Sequence, residues 1–280
     1  MRTLFPLGLA LFFSAVVAAQ TAYKTVPSIK YYPATAYKSD AYKDSMCVLD
    51  LYYPVNKKNF ATVVWFHGGG ITGGHRDLPK QLTDQGFAVA TVEYRLSPHV
   101  KAPVYIEDAA AAVAWVFKNI KTYGGNDQLI FLSGHSAGAY LVSMVTLNKN
   151  YLARHQVDAD KVAALVPFSS QAITHFTVRQ ERGVDALRPV IDSLAPLYFV
   201  RKDAPPTIIL TGDRELEMMG RYEENAYWFR MMKLVGHPRT KLFELEGYDH
   251  GNMPQGGFPL LIKEIRQRTK EITDASGNGR

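Results

Sequence analysis

The sequence predicts an α/β fold with a mainly parallel central sheet and helices on both of its faces. Three observations carry that reading. Short apolar runs recur, among them ATVVWF (61–66), FAVATVEY (87–94) and LIFLS (129–133). Being continuous rather than alternating, they mark strands buried on both faces. Segments of helical period separate them, and a strand–helix alternation implies a parallel sheet covered on each side.

The chain begins with a segment to be set aside. Arg2, the apolar stretch Leu4 to Val17 and the small residues before Gln20 have the anatomy of a secretory signal peptide, expected over 1–19. The stretch is shorter than the ~20 residues a membrane span needs. Removing it from a chain of 280 leaves 261 residues, enough for one large domain with a well-buried core. A Tyr-rich, proline-containing stretch without a period is expected to be an N-terminal arm over 20–45. A single domain is expected over 46–273, and a polar tail over 274–280.

Within the domain, MCVLDLYYP alternates and is rich in β formers, an early strand ending at Pro54. A short helix near 77–85 can connect the strands at 61–66 and 87–94. After Pro103, Ile106, Ala109, Ala110, Val113, Phe117 and Ile120 recur at helical spacing. Glu107 and Asp108 suit the first turn of that helix, and Gly124-Gly125 stops it. The strand 129–133 leads into a helix from Ala137 to about Asn148. Strands at 163–170, 207–212 and 241–245 follow, with helices near 222–235 and 258–272.

Composition excludes several classes of function. The formal charge of +6 is spread among acids rather than gathered into a basic stripe, so a nucleic-acid partner is not expected. Cys47 is the only cysteine, which rules out an intramolecular disulfide and a thiol-ligated zinc site. No N-x-S/T sequon occurs. An exported chain of this kind fits a bacterial periplasm or the medium. No membrane partner is expected once the signal is removed, and the oligomeric state is not legible.

The most informative letters are LIFLSGHSAGAY. A buried strand runs into Gly134-His135-Ser136-Ala137-Gly138 and a helix begins at once, which is G-x-S-x-G in the context that motif requires. Such a turn lifts a serine hydroxyl above the sheet. A serine is a weak nucleophile until a histidine base, itself oriented by an acid, takes its proton. On this fold the acid and then the histidine follow the serine in sequence. TIILTGDRELE offers Asp213, nearest the strand end, with Glu215 and Glu217 as rivals. Of the eight histidines, only His250, in KLFELEGYDHGN, follows the acid and lies beyond the next strand.

The loop FHGGGITGGH admits two readings. Gly68, Gly70 and Gly73 fit G-x-G-x-x-G, with Glu93 placed to bind a ribose. In a dinucleotide site, however, a helix opens directly from the motif, and here Gly73-Gly74 and HRDLP delay any helix. The other reading starts at His67 and is H-G-G-G, an oxyanion loop. It assigns backbone N–H groups at Gly69, Gly70 and Ala137 to a developing negative oxygen, with His67 bracing the loop.

With these residues in place, the chain resembles α/β-hydrolase fold carboxylesterases of the H-G-G-G branch. It is similar to hormone-sensitive-lipase-like esterases, and to the smaller group of kynurenine formamidases and feruloyl or acetylxylan esterases. DLYYP, HGGG, EYRLSP, YIEDAAAAVAWV, SGHSAGAY, APLYFVRKDAPPTIILTGDRE and GYDHGN carry the likeness. The resemblance implies a triad of Ser136, Asp213 and His250, an oxyanion hole of Gly69, Gly70 and Ala137, and two-step acyl transfer without cofactor or metal. Relatives in the smaller group often carry an aromatic residue after the glycines, where this chain has Ile71-Thr72.

The expected substrates are small soluble or carbohydrate-linked esters, with formamide hydrolysis and a non-catalytic binding role as alternatives. The stretch 171–203 is the candidate for a small cap. Ile71, His135, His175 and Phe176 are candidate substrate contacts, and Phe168 and Arg179 could also face the pocket. A neutral imidazole is required of the base, so activity is expected to fall below about pH 6–7.

Overall fold

The computed structural model describes residues 21–38 and 40–277. In chain order they form β1 (Tyr23–Lys30), α1 (Ala41–Met46), β2 (Val48–Pro54), β3 (Phe60–Phe66), β4 (Ala88–Val92), α2 (Val104–Asn119), β5 (Gly125–His135) and α3 (Ala137–Leu147). Then come α4 (Lys149–Ala153), β6 (Ala164–Phe168), α5 (Phe176–Glu181), β7 (Thr207–Gly212), α6 (Arg221–Leu234), β8 (Thr240–Leu245) and α7 (Met253–Gly277). One eight-stranded sheet has the order β1-β2-β4-β3-β5-β6-β7-β8. The pairs β1–β2 and β2–β4 are antiparallel, and every pair from β4 across to β8 is parallel. The expected mainly parallel sheet with helices on both faces is the observed fold.

The continuous apolar strands serve two cores at once, because successive side chains point to opposite faces. Val64, Phe66, Ile130 and Leu132 pack on one face with Ile106 and Ala109 of α2, Tyr140 of α3 and Trp228 of α6. Val63, Trp65, Phe131 and Leu210 pack on the other with Met253, Phe258 and Leu261 of α7. Trp65, Phe168 and Phe258 form a cluster with ring centroids 5.2–5.5 Å apart. Each such buried side chain contributes roughly 1.5–3 kcal/mol of transfer free energy.

Three sequence expectations are corrected. The stretch taken as an arm supplies the edge strand β1, held by its tyrosines. Tyr23 stacks on Tyr52 at 4.6 Å, and the hydroxyls of Tyr31 and Tyr32 reach Glu93 O and Asp108. Pro27 hid this strand from pattern reading, but it lies at a register shift between Val26 and Ile29, where an edge tolerates proline. Between 77 and 85 there is only a 3-10 turn, Lys80–Leu82, with Pro79 before it and Asp84 at φ 59° after it. The last helix begins at Met253 and runs through the expected tail to Gly277. The signal segment expected at 1–19 lies outside the described residues. No helix among the described residues is long and apolar enough to cross a membrane.

This topology decides where chemistry can sit. The loops after β3, β5, β7 and β8 all leave the carboxyl ends of parallel strands, the edge at which open α/β sheets bind their ligands.

Candidate active site

Ser136 occupies the turn between β5 and α3 at φ 53°, ψ −112°, a conformation that non-glycine residues rarely adopt. Close packing enforces it. A Cβ on Gly138 would lie 2.2 Å from Phe66 O, and one on Gly134 would lie 2.7 Å from the same oxygen. Both glycines of the motif are therefore steric requirements. The serine side chain sits at the amino end of α3 and is nearly buried.

His250, in the loop after β8, places Nε2 2.9 Å from Ser136 Oγ. Its Nδ1 is 2.8 Å from Oε2 of Glu217. A carboxylate only accepts, so Nδ1 carries the hydrogen and donates it, leaving Nε2 free to accept from the serine hydroxyl. The structure thus joins Ser136, His250 and Glu217 in one hydrogen-bonded chain, and Asp213 is not part of it. This corrects the sequence assignment of the acid.

The reason lies in the turn after β7. Asp213 O accepts from Glu217 N at 2.9 Å, so the chain folds back by one turn and sets residue 217 over residue 213. The Asp213 carboxylate is spent on that turn: Oδ1 accepts from Glu215 N at 2.9 Å and Oδ2 from Gly247 N at 2.8 Å. Those two N–H groups hold its carboxyl below the usual range. Glu217, longer by one methylene and almost fully buried, reaches back to the histidine and also accepts from Gly212 N at 2.9 Å. A Cβ on Gly212 would stand 3.1 Å from that carboxylate and 2.6 Å from Tyr248 O. Nearness to the strand end selected the wrong acid, and the four-residue spacing in DRELE was the signal that could have found the right one.

Burial alone would raise the Glu217 carboxyl, but hydrogen bonds from His250 and Ser169, the His250 charge and the Gly212 N–H outweigh it and hold it at about 2. A depressed carboxylate pKa contributes stability that is present above the unfolded value and lost as pH falls toward the folded one. The Tm advantage of the wild type over Glu217→Gln is therefore expected to shrink between about pH 5 and about pH 2.5, as scanning calorimetry can check. A gap that widened across that window would contradict the assignment.

The glycine loop lies against this chain of residues. A Cβ on Gly68 would be 3.4 Å from Ser136 Cβ. Gly69 and Gly70 have φ of 115° and 64°, and a Cβ on Gly69 would lie 2.2 Å from Gly73 O. Among the described residues, no acceptor is bonded to the N–H groups of Gly69, Gly70 or Ala137. His67 braces the loop as expected, with Nδ1 2.7 Å from Gly68 O and Nε2 3.1 Å from Glu93 Oε1. Its ring stacks on Tyr94 at 4.4 Å. Glu93 is thereby committed to bracing.

The candidate substrate contacts divide. His135 does not reach outward: its Nε2 donates to His250 O at 2.9 Å, and burial followed by the neighbouring His250 lowers its pKa to about 4. It positions the His250 backbone and stays neutral. His175 is buried and accepts from Thr177 N at 3.2 Å to cap α5, its ring 5.1 Å from Tyr140 and 4.4 Å from Phe176. Ile71 is buried in the core at φ 65°, so it is not beside the glycines' exposed side. Phe168 packs in the opposite core, and Arg179 holds Thr174 O at 2.9 Å and Ala186 O, binding the 171–203 segment to itself. Phe176 lies against Gly70 of the glycine loop. A Cβ on Gly70 would lie 3.1 Å from Phe176 Cζ, and the next residue's Thr177 Oγ1 donates to Gly70 O at 2.5 Å. An aromatic residue does stand beside the glycines, delivered by α5 rather than by the loop.

The family model BD-FAE matches residues 49–218, a span that includes Ser136 and Glu217. The chain is similar to esterase LipC of Mycobacterium tuberculosis, 27% identical over 205 residues, covering 67% of this chain and 50% of the relative. It is 31% identical to gut esterase 1 of Caenorhabditis elegans over 145 residues, covering 42% of this chain and 26% of the relative. It thus spans about half, or less, of the length of these curated relatives. Among solved structures, a truncated carbohydrate esterase from gut microbiota has a TM-score of 0.71 at 16% identity, covering 90% of this chain and 99% of that one. Apo esterase 2 of Thermogutta terrifontis has a TM-score of 0.65 at 21% identity, covering 94% and 98%. At such identities these two likenesses bear on the fold alone.

Proposed function

This chain belongs to the BD-FAE family, and we propose that it is a serine carboxylic-ester hydrolase acting on short-acyl, soluble or carbohydrate-linked esters through an acyl-enzyme intermediate. The observation that carries the reading is the unbroken hydrogen-bonded chain from Ser136 Oγ through His250 to Glu217, mounted on a strained turn. The names of its curated relatives, esterase LipC and gut esterase 1, agree with it.

In the proposed mechanism His250 Nε2 takes the Ser136 proton as Oγ attacks the ester carbonyl carbon. The oxygen becomes negative and is received by the N–H groups of Gly69, Gly70 and Ala137, each such donor worth roughly 2.7–4 kcal/mol in the transition state. Glu217 stabilises the imidazolium formed in that step. The imidazolium returns its proton to the departing alcohol oxygen, leaving the acyl group on Ser136. Water then attacks the acyl carbon, giving its proton to His250, and Ser136 recovers a proton as the acid leaves. His135 stays neutral through this cycle because burial holds its pKa at about 4.

Two features support a short acyl group. The segment 171–203 is too short for a large lid, and it lays Phe176 against Gly70, which narrows the space beside the glycines. The export expected from residues 1–19 would bring the enzyme to polysaccharide side-chain esters. A panel of p-nitrophenyl esters of increasing chain length, with feruloyl and acetylated sugars and N-formylkynurenine, tests the reading. Acetyl and propionyl esters are expected to give the highest kcat/KM, and acetylated sugars to be turned over. N-formylkynurenine outpacing every ester would overturn the proposal in favour of formamide hydrolysis.

A further inference from the structure

We infer that Ser169 is a positioning residue of the candidate triad, its hydroxyl sharing the His250 Nδ1 hydrogen with Glu217 and so fixing the rotation of both side chains. The inference rests on the serine-hydrolase reading above and adds to it a residue that the sequence motifs do not single out.

Ser169 is the first residue after β6, and its Oγ lies 3.0 Å from His250 Nδ1. The carboxylate oxygen Glu217 Oε2 stands 2.8 Å from the same nitrogen. Nδ1 carries one hydrogen, so it makes a three-centre bond to both oxygens. The hydroxyl accepts at this contact, so its own hydrogen remains free, and Ser169 helps hold the Glu217 carboxyl low. His250 Nδ1 is thus held between two oxygens, at 2.8 and 3.0 Å, and this fork restricts the ring's rotation more than the single His250–Glu217 contact could.

The backbone at 169 is built to hold that hydroxyl in place. Ser169 has φ 51°, a left-handed conformation in which glycine is at ease and serine is not. It is held there by its N–H, which donates to Leu210 O at 2.7 Å, and by Arg221 Nη1, which donates to its carbonyl. Arg221 is fully buried, and among the described residues it has no carboxylate within salt-bridge distance, so the Ser169 carbonyl is a principal partner of that guanidinium. The position satisfies the backbone demands of a glycine yet carries a hydroxyl, and the hydroxyl's partner is the imidazole behind the nucleophile.

Ser169→Ala and Ser169→Gly, made in the full chain, separate the two roles. Both remove the hydroxyl, but glycine relieves the left-handed backbone and alanine does not. On p-nitrophenyl acetate both are expected to lower kcat about tenfold, the worth of one hydrogen bond, with KM within about twofold. Tm should separate the variants, Gly being at least as stable as Ala. The His250 Nδ1 proton resonance should move alike in both. A Ser169→Gly enzyme with wild-type kcat, or kcat following Tm across the two variants, would overturn the inference. Ser136→Ala serves as the control. If it abolishes turnover while Ser169→Gly is unimpaired, only the positioning role fails; if it retains turnover, the serine-hydrolase reading fails and the inference with it.

Discussion

Glu217→Gln is expected to lower kcat about 10⁴-fold, the usual size of a triad whose histidine is held in the wrong tautomer. The amide is nearly isosteric, so the effect comes from where its hydrogens go. One oxygen of Glu217 accepts from Gly212 N at 2.9 Å, and that backbone donor cannot change its role. The amide oxygen stays with this closer donor, which turns the NH₂ toward His250 Nδ1, 2.8 Å from the other carboxylate oxygen, and gives up that oxygen's 3.2 Å bond from Met218 N. The imidazole can adapt, and does so by moving its hydrogen to Nε2. It then faces Ser136 Oγ with a donor and no longer accepts the serine proton. Asp213→Asn is expected to reduce kcat less than about tenfold, because the residue supports the 213–217 turn and touches neither His250 nor Ser136. Steady-state kinetics on p-nitrophenyl acetate checks both. Equal losses, or a larger loss at Asp213, would return the acid to the position nearest the strand end.

Ser136→Ala carries the largest expected effect, a loss of about 10⁶-fold in kcat. Nothing else in the site replaces the nucleophile. Ser169 Oγ faces His250 Nδ1, the side of the ring away from Ser136. A water taking the serine's place would have to be activated without covalent capture, leaving the residual ~10³–10⁴ over the uncatalysed rate that a donor-lined site retains. The fold should survive, since the strain at φ 53° is imposed by the contacts of Gly134 and Gly138 with Phe66 O and not by the serine hydroxyl. Circular dichroism matching the wild type, together with loss of turnover, is the expected pair of results. Turnover above about one hundredth of wild type would place the nucleophile elsewhere.

These two predictions separate what the sequence carried from what it could not. Ser136 was legible because its motif makes a steric demand, glycines at both ends of a tight turn, that leaves a mark in the letters. His250 was legible because strand order constrains which histidine can follow the acid. The acid itself was not, because order admits Asp213, Glu215 and Glu217 alike. Only the backbone fold of 213–217, an i to i+4 hydrogen bond, decides which of them faces the histidine. The sheet was read from its continuous apolar strands, whereas β1 escaped because its cohesion comes from tyrosine hydroxyls reaching residues 62 and more positions away, as Gly86 N to Tyr23 and Tyr31 to Glu93 show. Ile71 misled for a related reason. Its φ of 65° turns the side chain into the core, and the aromatic beside the glycines arrives from Phe176, more than a hundred residues on.

The central claim is that Ser136 is a nucleophile activated by His250 and held in register by Glu217. Its most direct test is treatment with a fluorophosphonate, followed by peptide mapping by mass spectrometry. One adduct is expected, on the Ser136 hydroxyl, formed far more slowly in Glu217→Gln and at the wild-type rate, within about tenfold, in Asp213→Asn. An adduct on another residue, or no adduct on folded protein, would contradict it.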